Sequence, residues 1–231
     1  MATRSVYRVG NAKDYVEEIK VNFKWYAGFT ASQKQKSIID LHKEYNKIYE
    51  EDKVLEISTK SLNELGVKLS AFNLMINTND KKVFSVESAF QSSKKFKLGG
   101  PYSDILNLPS IEAKRDDRLR NSGELIGFEF YNREWPLKPK TIFYDWLYIR
   151  AVYKNQNLSK EILEYDAFTD IEFNPRKSLN CQARSAALFV ALSREKLLDY
   201  SMESIQNYFE IILKTKCDKN HKQMKFKIEK Y

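Results

Sequence analysis

The sequence predicts an α+β fold: a single, predominantly helical domain with a small β-sheet. Three observations predict it. Apolar residues recur at helical spacing through residues 32–49 (Ile38, Leu41, Tyr45, Ile48), residues 182–198 (QARSAALFVALSREKLL) read as a helix buried on most sides, and the runs rich in β-formers are short. At 231 residues the chain can enclose a substantial core in one domain. No internal repeat, heptad pattern or low-complexity linker divides it.

Taken in order, residues 12–23 read as a short helix, and the aromatic turn WYAGF at 25–29 leads into the longer helix 32–49, which the acidic run Glu50, Glu51, Asp52 ends. Strand candidates follow at 54–58 and 67–72. Ser85 stands where a helix N-cap belongs, so SVESAFQSSKKF at 85–96 predicts a buried helix, closed by the turn Gly99, Gly100, Pro101. Ser110 can cap the next helix, IEAKRDDRLR, and residues 141–155, 159–165 and 202–214 read as three more. FTDIEFNP, at 168–175, mixes β-formers with an Asn-Pro turn.

Aromatic content of 13% and an ordinary 30% of charged residues exclude disorder for most of the chain. No run approaches the roughly 18 apolar residues of a membrane span, and the opening residues lack an apolar signal core, so a cytoplasmic protein without membrane contact is expected. Cys181 and Cys217 form no CxxC pattern and the histidines are His42 and His221, which argues against a zinc site; no metal and no cofactor are expected. The net charge of +8 is uneven: residues 214–231 carry seven Lys against Asp218 and Glu229. Such a tail fits phosphate contact with nucleic acid. It fits slightly better a solvated edge strand with Met224, Phe226 and Ile228 on one face.

The chemistry in the sequence centres on Glu87 and Lys94. They are seven residues apart, two helical turns, so on one helix both side chains leave the same face and aim a carboxylate and an amine at one spot. A partly exposed Glu and Lys on an amphipathic helix is the blander reading of that spacing. No GxGxxG or GxxxxGK[ST] appears, which disfavours Rossmann and P-loop nucleotide sites. Lys114, Arg115 and Arg118, followed by Trp135, Tyr144 and Trp146, instead combine guanidinium forks with ring faces that suit a nucleotide-like ligand. Their alternative is structural, with Arg115 and Arg118 paired to Asp116, Asp117 or Glu112 and Trp146 in the core.

These residues resemble the NADAR family, named for NAD and ADP-ribose. Its landmarks are an S-N-F turn, an S-V-E-x-x-x-Q-x-x-K-F helix, an A-K-x-x-x-R segment, a Trp and a late acidic or Asn-Asp element. The chain shows Ser70, Ala71, Phe72 and Asn73, then Ser85, Val86 and Glu87 with Gln91 and Lys94, then Ala113 and Lys114 with Arg118, then Trp135, in that order. The stretch at 148–163, YIRAVYKNQNLSKEIL, is also similar to the family's helix, N-x-x-L and second helix. The phrases GFTASQKQKSI, GGPYSDI, FYDWLY, FTDIEFNP and NCQARSAALFVAL resemble the branch paired with DarT-type DNA ADP-ribosyltransferase toxins. Two positions depart from the pattern. Ala71 replaces the Asn of S-N-F, leaving Asn73 as its candidate substitute, and FTDIEFNP stands where N-D-x-x-W-G is expected.

The resemblance implies a NADAR fold in which 65–200 is the catalytic core, 1–64 an N-terminal helical extension and 201–231 a C-terminal helix with the basic tail. It implies an antitoxin enzyme that removes ADP-ribose from the guanine amino group of ADP-ribosylated DNA, with ADP-ribose as product and a DarT-type toxin as functional counterpart. Glu87 is then the catalytic acid/base. Lys94, its pKa lowered beside Lys95 in an apolar pocket, either attacks the opened sugar to form a Schiff base or stands as a fixed charge on the pyrophosphate. Arg115 and Arg118 hold phosphate oxygens, Trp135 stacks on or walls the ribose or base, and Ser70, Phe72, Asn73 and Gln91 complete the pocket. Asp170, Glu172 or Asn174 takes the late acidic role, with Asp170 orienting a ribose hydroxyl. A silent module that masks ADP-ribosylated DNA, and an N-glycosidase of a small metabolite, are the competing classes.

Overall fold

The computed structural model describes residues 1–139, 141–174 and 181–217. The order is β1 (Ala2–Asn11), β2 (Asp14–Phe23), α1 (Ala31–Asn46), β3 (Val54–Glu56), α2 (Glu64–Lys68), β4 (Met75–Asn77), β5 (Val83–Ser85), α3 (Val86–Ser92) and β6 (Lys94–Phe96). There follow α4 (Ser110–Arg115), α5 (Arg118–Asn121), β7 (Leu125–Phe130), β8 (Arg133–Trp135), α6 (Ile142–Lys154), α7 (Gln156–Glu161), β9 (Ala167–Thr169), α8 (Gln182–Arg194), α9 (Leu198–Glu203) and α10 (Ile205–Cys217). The α+β class predicted from the sequence is what is found.

The strands make a sheet ordered β2-β1-β9-β3, a β4-β5 hairpin and a β6-β7-β8 meander. In the first sheet β1 is antiparallel to β2 and β9, while β3 runs parallel to β9. One face of this sheet buries Val6, Val21 and Phe23 against Ile38, Leu41 and Tyr45 of α1. Tyr7 belongs to the larger core on the other side, with α6 and α8 at its centre. Along α6, everything from Ile142 to Ile149 is buried, as in an interior helix, and the one acid of that stretch, Asp145, is paired with Arg184.

The hairpin corrects the helix expected at 12–23. Ile19, Val21 and Phe23 alternate with Lys20 and Asn22, a period of two that buries one strand face, and the register Val6 to Ile19 closes the pair. The strand expected at 67–72 is also absent: Asn63 caps Leu65 N–H at 2.9 Å, which starts α2, and the chain then turns. The helix expected from IEAKRDDRLR is broken into α4 and α5 at Asp116 and Asp117. Ser110 is not its cap but its first residue. The expected edge strand at 224–228 and most of the basic tail lie outside the described residues.

A polar thread crosses the sheet. Thr169 Oγ1 donates to Glu56 Oε2 at 2.5 Å, so its one proton is committed, and His42 Nε2–H must donate to Thr169 Oγ1 across 2.8 Å. Burial lowers the His42 pKa to about 4, below its ordinary 6.5. The neutral ring is therefore favoured by folding. Its contribution is present above pH 6.5 and is lost as pH falls towards 4, about 2 kcal/mol after allowing for the partial exposure of the ring. Urea unfolding of wild type and His42→Gln at pH 7 and pH 4.5 should show the difference between them shrinking or reversing at the lower value.

Candidate active site

The N-terminus of α3 sets the site. Its first N–H groups have no partners within the helix, and each finds one: Val86 N–H donates to Leu74 O at 2.9 Å, Glu87 N–H to Ala71 O at 2.9 Å, and Ser88 N–H to the Ser85 hydroxyl at 2.9 Å. The predicted N-cap is thus present. The turn through Ser70, Ala71 and Phe72 is sewn onto the helix start, and Ser110 Oγ lies 2.7 Å from both Phe72 O and Ser85 Oγ, tying α4 to the same place. Glu87, Phe72 and the end of α4 therefore come together by construction.

Glu87 is buried, with its Oε1 accepting from Gln91 Nε2 at 2.9 Å and 3.8 Å from Lys114 Nζ. The Lys114 amine also sits 4.9 Å over the Phe72 ring. Two buried polar atoms here have no hydrogen-bond partner among the described residues: Gln91 Oε1 and Ser70 Oγ. Unpaired buried polar atoms are costly and rare, and at a pocket wall they mark places for a ligand's own groups.

Lys94 reaches this wall by a route the helical spacing did not foresee. Ser92 and Ser93 turn their hydroxyls back onto Ala89 O at 3.0 and 2.6 Å, α3 ends, and Lys94 opens strand β6 opposite Phe128. Gly100, at φ +78°, lets the following loop close onto the Lys94 carbonyl, where a Cβ would collide. The Lys94 amine lies 5.0 Å over Phe90 and forms no ion pair among the described residues. Burial lowers its pKa; the charge of Glu87 raises it, and that of Lys114 adds to the lowering. Lys95, expected to act beside it, instead alternates to the other strand face and pairs with Glu134 at 2.7 Å and Glu129 at 3.4 Å.

Asp170 follows β9 and accepts from Glu172 N–H at 3.0 Å and Phe173 N–H at 3.1 Å. Burial pushes its carboxyl well above the usual range and the charge of Glu56 pushes it further. Tyr144 is buried on α6, its phenol held neutral chiefly by burial, with the charges of Glu87 and Asp170 adding to the effect. Glu172 points elsewhere, accepting from Thr59 Oγ1 at 3.0 Å, and Asn174 is the half-buried last residue before 175–180. A cavity of about 240 Å³ opens at Asp170 and Phe173; Glu87 and Lys94 do not line it.

Three expected site residues are placed otherwise. Trp135 is 3% exposed, stacked on Phe209 at 5.5 Å and packed on Trp146 at 4.8 Å, so both faces belong to the core and none is open to a ligand. Trp146 is also core, as its alternative had it. Arg118 is held by Asp104 at 2.6 Å and Asp116 at 2.7 Å, which leaves it no free fork for phosphate. Asn73 is exposed and spends its amide N–H on Val67 O at 3.0 Å. Arg115, by contrast, is exposed at the end of α4 beside Lys114 and forms no ion pair among the described residues.

The sequence reading missed Glu56 and Gln182. Glu56 accepts from Thr169 Oγ1 and from Ile171 N–H at 2.8 Å, pinning the backbone on either side of Asp170. Gln182 accepts Ala71 N–H at 2.7 Å and donates to Ile57 O at 2.8 Å, joining the Phe72 turn to the end of β3. An acid inside the apolar run VLEI was the available signal for the first; the second gives none.

The chain matches the profile of DarT1-associated NADAR antitoxins over residues 2–222. It belongs to that family. The match takes in the β1–β2 hairpin as well as the Glu87 and Asp170 elements. No curated protein matches the chain. Among the antitoxin's described residues no helix is long and apolar enough to cross a membrane, and no group of three or more His, Cys, Asp or Glu could hold a metal ion.

Proposed function

We propose that this antitoxin is an N-glycosidase that removes ADP-ribose from guanine in DNA and so reverses its toxin. One observation carries the reading: a buried acid, Glu87, stands within charge–charge reach of a half-buried amine, Lys94, whose pKa is lowered by burial and which has no ion-pair partner among the described residues. A masking module has no use for that pair. A lowered pKa also favours the nucleophile role of Lys94 over the fixed charge, since the neutral amine carries the reactive lone pair.

The scissile bond joins the anomeric carbon of ribose to the guanine amino nitrogen. Glu87 gives a proton to the ring oxygen as the ring opens, leaving an iminium between that carbon and guanine. Lys94 adds to the carbon. Glu87 carries the proton from the lysine nitrogen to the guanine nitrogen, which departs with the bonding electrons as the restored amino group. Water then adds to the lysine imine, the amine is expelled, and the freed aldehyde closes to ADP-ribose. Lys114 and Arg115 face the phosphates, Phe72 walls the ribose, Gln91 Oε1 and Ser70 Oγ accept and donate to its hydroxyls, and Asp170 orients another.

The test incubates the protein with an oligonucleotide carrying ADP-ribose on guanine and follows both products by mass spectrometry. Free ADP-ribose and unmodified oligonucleotide in equal amounts are expected. Tight binding without release would establish the masking module, and cleavage of small N-glycosides with the oligonucleotide left intact would establish the metabolite enzyme.

A further inference from the structure

The turn between β2 and α1 is not used by the site, yet its composition is unusual for a connecting loop. Phe29 is fully exposed. Trp25 carries the Arg4 guanidinium at 5.2 Å and the Lys34 amine at 4.4 Å, and Tyr26 carries the Lys24 amine at 5.0 Å. Among the described residues none of these three cations forms an ion pair, and the first turn of α1 contains no acid. Gly28, at φ +135°, supplies the bend that turns Phe29 outwards.

Phe29 is the open ring, on which an unpaired base can stack, while the cations held over Trp25 and Tyr26 present positive charge to the flanking phosphates. A duplex cannot use it, because its base faces are already stacked on one another. The patch also adjoins Asp170: Arg4 lines the cavity of about 240 Å³ that reaches Asp170 and Phe173, on the side away from Glu87 and Lys94, which do not line it. A strand stacked on Phe29 and led past Arg4 therefore reaches Asp170.

We propose that this turn is the docking surface for the single-stranded DNA flanking the modified guanine. The inference rests on the DNA reading above, and the two are tested separately. Fluorescence anisotropy with an unmodified single-stranded oligonucleotide, over a salt series, compares wild type with Phe29→Ala/Lys34→Glu. Both positions are on the surface, and an unchanged melting temperature verifies the fold of the variant. The variant is expected to bind about tenfold more weakly and to lose about one unit of slope in log Kd against log salt, with unchanged release of ADP-ribose from the modified deoxyguanosine nucleoside. Binding within twofold of wild type, tighter wild-type binding to duplex than to single strand, or an equal loss of activity on the nucleoside would each overturn the docking surface. If wild type binds through the patch but releases nothing from modified DNA, the glycosidase reading fails and the surface stands.

Discussion

Glu87→Gln should lower kcat on ADP-ribosylated DNA by about 10²–10⁴-fold, the range for removing a positioned acid/base, while the dissociation constant stays within a few-fold. The substitution is nearly isosteric, and the amide oxygen can still accept from Gln91 Nε2, so the start of α3 keeps its bonds to Ala71, Leu74 and Ser85. What disappears is the group that protonates the ring oxygen and carries the proton between the two nitrogens. Steady-state release, with binding measured separately by anisotropy, distinguishes this from a loss of affinity. A variant with full kcat and weakened binding would make Glu87 a binding residue only.

The second large effect is on stability. Asp145 of α6 is buried and accepts from Arg184 Nη1 at 2.5 Å and from Ser185 Oγ at 2.7 Å, joining α6 to α8. Asp145→Ala strands the guanidinium, and breaking a buried pair from one side costs about 3–5 kcal/mol. The Arg184 side chain keeps 29% of its surface exposed, which places the expected loss near the lower figure, about 3 kcal/mol and roughly 6–12 °C in melting temperature. Because α6 carries Tyr144 and α8 carries Gln182, the pair also aligns the two halves of the site. Well below its melting point the variant should retain most of its kcat. Calorimetry and activity at 20 °C check the two parts.

How much of this was legible follows from the range of the forces involved. The Ser85 cap, α3, α6, α8 and Glu87 could be read because periodicity and capping are local. Lys94 was found for a reason that did not hold. Two consecutive serines end α3 early, and a strand and the Gly100 loop bring the amine back to the same wall. The β1–β2 hairpin was readable in the alternation of Ile19, Val21 and Phe23, but the acidic and basic residues among them imitate an amphipathic helix. Trp135 and Arg118 misled because a residue type suited to stacking or phosphate binding serves equally in a core or a surface pair; only the neighbours, Phe209 and Asp104, decide. Gln182 reaches Ala71 and Ile57 across more than a hundred residues, which no local pattern encodes.

The account stands most directly on covalent capture at Lys94. Wild type mixed with ADP-ribosylated DNA and quenched with borohydride should yield a reduced adduct that peptide mapping assigns to Lys94, with Lys94→Met giving neither adduct nor release. Full-rate release of ADP-ribose without an adduct, or an adduct confined to another lysine, would contradict it.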